Sequence, residues 1–82
     1  MKREEIVEKV NEFLVEELEI EEDKIKPESL LKDEVGIDSL DLVDIVVIVN
    51  RIFGFKIEMA ELKDIKTLNQ FYDYIDSKVN HV

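Results

Sequence analysis

From Leu40 to Phe53 the chain carries one long apolar-rich run with almost no turn former until Gly54, and Ile45-Val46-Val47-Ile48-Val49 at its centre are five β-branched residues in a row. Whether this run is strand or helix decides the fold class. β-branched side chains are stiff at χ1 and enriched in strands, so propensity alone suggests a buried strand. Two arguments favour helix. The apolar pattern continues well beyond the β-branched core, and the chain offers no second convincing strand to pair with it. An unpaired strand would leave its backbone N–H and C=O groups unsatisfied.

The remaining segments follow helical periodicity. Ile6, Val7, Val10, Phe13, Leu14 and Leu18 are spaced for one buried stripe of a helix over about residues 3–18. From Glu19 to Asp38 the periodicity lapses. Ile20, Ile25, Leu30, Leu31, Val35 and Ile37 there read as anchors of an ordered loop, and Pro27 discourages helix at its own position. A short helix is expected around Met59–Leu62. Thr67-Leu68-Asn69-Gln70 fits a capping box opening a last helix with Leu68, Phe71, Tyr72, Ile75 and Val79 inward. The expected fold is all-α: a small four-helix bundle of three longer helices and one short third helix, with a long loop between the first two. Its 82 residues are read as one domain, 1–82, large enough for a single core but not for a walled substrate cavity.

Charge narrows the partners. With 21 acidic against 11 basic residues, the net charge is −10. That disfavours nucleic acid and anionic membrane surfaces and favours basic protein surfaces. The absence of cysteine excludes disulfides, a thiolate nucleophile and a cysteine-based zinc site, and suits a reducing cytosol, so a cytoplasmic location is expected. The longest apolar run, Ile45 to Val49, is too short for a membrane span, and the charged start does not resemble a signal peptide. A Ser-His hydrolase would need a base, and the one histidine, His81, sits next to the C-terminus. Asp33, Glu34, Asp38 and Asp41 lack the ligand spacing of a calcium loop, so neither a metal centre nor catalytic residues are expected.

One serine stands where loop gives way to helix. In Gly36-Ile37-Asp38-Ser39-Leu40-Asp41, Ser39 falls in the first helical turn, exposed and near unpaired backbone N–H groups that favour an anion such as a phosphate ester. On a wheel of roughly 100° per residue with Ser39 at zero, Leu42, Ile45, Val46, Val49, Ile52 and Phe53 form the core face. Leu40, Val43 and Val47 lie beside Ser39, flanked by Asp41, Asp44, Ile48 and Arg51. An apolar strip next to acids suits a partner with a hydrophobic notch and a basic rim, where charge steers encounter and apolar contact holds it.

The Asp38-Ser39-Leu40 stretch resembles the attachment site of acyl carrier proteins. The similarity extends from the first amphipathic segment through Asp64-Ile65-Lys66-Thr67-Leu68 to Tyr72-Asp73-Tyr74-Ile75. The resemblance implies a carrier, not an enzyme, with 4′-phosphopantetheine on Ser39 beside Asp38. Acyl thioesters of fatty acid, polyketide or related biosynthesis would ride on that arm. It implies a phosphopantetheinyl transferase and acyl-transferring or acyl-activating enzymes as partners of a monomer, docking on Leu40, Asp41, Val43, Asp44, Val47, Ile48 and Arg51. Val46, Val49, Phe53, Ile65, Leu68 and Phe71 are the expected acyl-pocket lining.

The helix-2 end reads Asn50-Arg51-Ile52-Phe53, where housekeeping fatty-acid carriers are typically Glu-rich, which points to a specialised carrier. A carrier of activated amino acids such as D-alanine, an unmodified structural or regulatory adaptor and a cation-binding acidic bundle stay open as alternatives. The charge excess also sets a stability expectation. The melting temperature should rise with added NaCl or MgCl2 as self-repulsion is screened, and a flat thermal-denaturation series would contradict it.

Overall fold

The computed structural model describes residues 1–80, and their long elements are helices: α1 Arg3–Glu16, α2 Ser39–Phe53, α3 Met59–Asp64 and α4 Leu68–Val79. His81 lies outside the described residues. Between α1 and α2 the chain makes a 3-10 turn at Glu22–Lys24 and a single π turn at Leu31–Val35. The β-branched run is helical throughout, because Leu42, Ile45, Ile48 and Val49 bury one face of α2 and burial outweighs a propensity cost of tenths of a kcal/mol per residue. Gly54, in the left-handed conformation at φ +79°, ends the helix and donates to the Asn50 carbonyl at 3.0 Å.

α1 stops two residues before the expected end. Glu19 takes φ +57° and turns the chain, while Leu18 and Ile20 N–H groups reach back to the Phe13 and Leu14 carbonyls. The left-handed turn is made without glycine, which is why the pattern alone misplaces it. The core unites Ile6, Val10, Phe13 and Leu14 of α1 with the α2 face, Leu62 of α3, and Leu68, Phe71, Tyr72 and Ile75 of α4. The loop anchors Leu31, Val35 and Ile37 are buried in it, Ile20 and Ile25 pack partly against it, and Leu30 stays exposed.

Backbone hydrogen bonds hold the long loop to the start of α4. Leu31 N–H donates to the Lys66 carbonyl at 2.9 Å, and Leu68 and Asn69 donate to the Ser29 and Pro27 carbonyls at 3.0 and 2.8 Å. The expected capping box adds Gln70 N–H to Thr67 Oγ1 and Thr67 N–H to Gln70 Oε1, both at 3.2 Å. The first-turn donors of α4 are thereby satisfied half by its own cap and half by the loop.

Polar contacts clasp α1 to α4 around that core. Arg3 reaches Asp73 at 2.7 Å, Asn69 at 3.1 Å and Asp76 at 3.3 Å, with its guanidinium 5.7 Å from the Tyr72 ring centre. The Asn80 amide beside it, and then Arg3, hold the Asp76 carboxyl below its ordinary value. Tyr72 donates to Asn11 across the helix pair, and Tyr74 donates to Glu61 of α3. Burial pushes the Tyr72 phenol up to about 12 from 10.0. A proton held more tightly in the folded state gives stability that is complete below the unfolded value and lost as pH rises through the folded one. The melting temperature is therefore expected to fall between pH 10 and about 12. Tyr72→Phe should lose about 1 kcal/mol at neutral pH, because Asn11 loses its partner, and should show a shallower alkaline decline. Parallel declines in the two proteins would contradict this.

Candidate functional site

The start of α2 is built from the loop inward. Gly36, at φ +86°, closes the π turn, and Ile37 is buried and donates to the Leu31 carbonyl at 2.8 Å. Asp38 then caps α2. Its Oδ1 accepts from Leu40 and Asp41 N–H, each at 3.0 Å, while Asp41 Oδ2 accepts from Asp38 N–H at 3.2 Å. Ser39 is the first helical residue and is exposed. Of the four first-turn donors, this reciprocal box takes three; among the described residues the Ser39 N–H is the one left over. The unpaired amides expected to draw a phosphate are thus largely filled by Asp38. Asp38 fixes the first turn of α2, the turn on which Ser39 stands exposed.

The outer face of α2 is apolar at helical spacing. Leu40, Val43 and Val47 are 77%, 52% and 61% exposed, with Asp44 exposed among them and Asp41 half-buried. Ile48 departs from expectation: it is 5% exposed and belongs to the core, not to a free docking face. A wheel drawn on α2 alone cannot show the end of α1 lying against that flank. Glu17 accepts from Arg51 at 2.5 Å, and Glu17, Leu18, Asp44, Val47, Ile48 and Arg51 line a cleft of about 240 Å3 with Ile48 in its wall. Arg51 is therefore paired, and its charge is partly cancelled by a residue that the sequence pattern did not single out.

The six expected acyl-lining residues share one cluster. Val49, Leu68 and Phe71 are buried in its closed interior, and Val46, Phe53 and Ile65 pack on its edge. Ile65 also lines a surface cleft with Leu30 and three lysines. Among the described residues, no three His, Cys, Asp or Glu side chains converge on a metal site, and no helix is long and apolar enough to cross a membrane.

An exposed serine thus stands on a capped helix start in an acidic helical bundle. Residues 8–75 match the family profile described as the phosphopantetheine attachment site. The chain belongs to the acyl carrier protein family. It is 40% identical over 77 residues to the acyl carrier protein of Thermotoga maritima, covering 94% of this chain and 95% of that one. The acyl carrier protein of Coprothermobacter proteolyticus is 37% identical over 79 residues, 96% of each. That of Petrotoga mobilis is 35% identical over 80 residues, covering 98% of this chain and 94% of the relative.

Membership makes the chain a carrier and not a catalyst, with a role in acyl biosynthesis. Its cofactor is 4′-phosphopantetheine covalently bound to a serine, so it interacts with a phosphopantetheinyl transferase and with biosynthetic enzymes. The α2 start fits such a group. The Ser39 side chain is exposed and its own N–H is free at the positive end of the helix dipole. Positioning by Asp38 is testable by stability. Asp38→Ala should cost about 1 kcal/mol in urea unfolding, and Asp38→Asn much less, since its side-chain oxygen still accepts. Equal midpoints for the wild type and Asp38→Ala would sink the capping role.

Proposed function

We propose that Ser39 is the serine that carries 4′-phosphopantetheine. The observation that carries this reading is the contrast among the three serines. Ser29 is 3% exposed, Ser77 lies beyond the matched residues 8–75, and Ser39 stands exposed on the rigid first turn of α2. When bound, the arm supplies a terminal thiol that holds an acyl group as a thioester. In loading, Ser39 Oγ would attack the pantetheine-side phosphorus of coenzyme A; the diphosphate P–O bond would break, adenosine 3′,5′-bisphosphate would leave, and the hydroxyl proton would pass to solvent or the transferase, which supplies Mg²⁺. The Asp38–Asp41 box keeps the helix start from fraying and presents the hydroxyl outward.

Partner enzymes dock, by this reading, on Leu40, Val43 and Val47, with Asp41 and Asp44 steering basic rims toward them. Ile48 stands in the wall of the adjoining cleft, and Arg51, paired with Glu17, lowers the negative field at the far end of α2. That local neutrality supports a specialised carrier. One carrier domain, working as a monomer in the cytoplasm where coenzyme A is at hand, completes the reading. Acyl-chain entry among Val46, Val49, Phe53, Ile65, Leu68 and Phe71 would require the closed core to part between α2, α3 and α4, since Val49, Leu68 and Phe71 are already packed.

Intact mass after incubation with coenzyme A, Mg²⁺ and a permissive transferase tests the attachment. A gain of one phosphopantetheine is expected, and Ser39→Ala should stay unmodified. A folded, previously unmodified protein that gains nothing would favour an unmodified adaptor instead.

A further inference from the structure

Residues 55–65, which carry α3, are held to the bundle differently from the loop that precedes α2. α3 has six residues, no side-chain cap at Glu58 and one buried side chain, Leu62. An isolated helix is marginal even at ~12–15 residues, so this one persists only through what it touches. Ile57 and Leu62, each 1% exposed, supply the buried apolar contact, with Phe55, Met59 and Ile65 packed at its edge.

Both ends of the segment are pinned. Gly54 N–H donates to the Asn50 carbonyl at 3.0 Å, while Lys66 accepts from Leu31 N–H at 2.9 Å and donates to Gln70 Oε1 at 2.9 Å. Between these points, among the described residues, no backbone-to-backbone hydrogen bond reaches another element: Glu61 and Leu62 N–H groups return to the Glu58 carbonyl, and Ile65 N–H to that of Leu62. Polar bonding that leaves the segment converges on one group, the Tyr74 hydroxyl of α4. It donates to Glu61, and the Glu58 N–H lies against the same oxygen. The Phe55 and Tyr74 ring centres are 6.2 Å apart, and the Lys78 ammonium stands 5.5 Å from the Tyr74 ring centre. Burial, and then the bond to Glu61, push the Tyr74 phenol up to about 12, so it remains a donor throughout the neutral range.

We infer that α3 is a flap hinged at Gly54 and Lys66, and that the Tyr74–Glu61 hydrogen bond is the latch that sets how often it opens. Opening uncovers Ile57 and Leu62 and gives access to the core beside α2, the neighbour of α3. The start of α2 keeps its place meanwhile, because its support runs through Leu31 and Ile37 and not through residues 55–65. Access to the core is thereby separable from presentation of the outer α2 strip. None of this depends on attachment at Ser39.

Amide hydrogen exchange of the full chain, followed by NMR under conditions where it reports the opening equilibrium, tests the latch. In the wild type, Leu62 and Ile65 should exchange faster than Val49 in the core of α2, because the flap opens without global unfolding. Tyr74→Phe keeps the ring beside Phe55 and removes the hydroxyl, so Leu62 and Ile65 should exchange about fivefold faster, the equivalent of one ordinary hydrogen bond. Glu61→Ala should accelerate the same two amides, and adding Tyr74→Phe to it should accelerate them no further, since both remove one interaction. Tyr72→Phe, the same deletion two residues earlier on α4, should accelerate Val49 by weakening the whole bundle while Leu62 and Ile65 keep their rates. Leu62 and Ile65 as slow as Val49 in the wild type would overturn the flap. Unaltered rates for them in Tyr74→Phe, additive effects in the double variant, or equal acceleration by Tyr72→Phe would overturn the latch.

Discussion

The hydrogen bond from Leu31 N–H to the Lys66 carbonyl is the contact on which the placement of the site depends. It fixes the loop against the start of α4, where Leu68 and Asn69 N–H groups complete the junction with the Ser29 and Pro27 carbonyls. The Leu31 carbonyl in turn accepts from Ile37, and Ile37 precedes the Asp38 cap. Position passes along this line from the start of α4 to Ser39. Without it, a polar loop of about twenty residues would have few reasons to adopt one path. Burial of Leu31, Val35 and Ile37 acts together with the hydrogen bonds, since each apolar anchor removes from water a stretch whose backbone is already paired.

A carrier's chemistry resides in a group that it holds for others, so its own structure has to reconcile a rigid base with an accessible surface. The reciprocal Asp38–Asp41 cap supplies the rigidity at the serine without burying it. Exposed Leu40, Val43 and Val47 supply apolar contact area in a molecule whose acidity discourages self-association. The one basic side chain on this face, Arg51, is held by Glu17, so an apparent reversal of charge in the helix sequence becomes a near-neutral patch in space.

Much of this was legible in the residues. The capping box at Thr67 and Gln70, the buried stripes of α1 and α4, the turn into α2 and the exposure of Leu40, Val43 and Val47 all follow from local patterns that the fold preserves. What escaped the sequence depends on contacts between distant segments. Ile48 is 5% exposed and shares a cleft with Glu17 and Leu18 just past the end of α1, and Glu17 is recruited by a residue 34 positions away. The early stop of α1 rests on a left-handed Glu19, a conformation that residue type does not announce. The pattern places Asp38 beside the attachment serine, and its filling of the first-turn amides becomes visible only with side-chain geometry.

The two faces of α2 answer to different demands. Leu42, Ile45 and Val49 look into the core, whereas Leu40, Val43 and Val47 look out and make no part of it. Changes on such separated faces combine almost independently, because they share few partners. If partner enzymes dock on Leu40, Val43 and Val47 as proposed, selection can alter which enzymes recognise this helix while leaving the bundle's folding equilibrium nearly untouched, so one scaffold can be redeployed to new pathways by drift along a single exposed line of side chains.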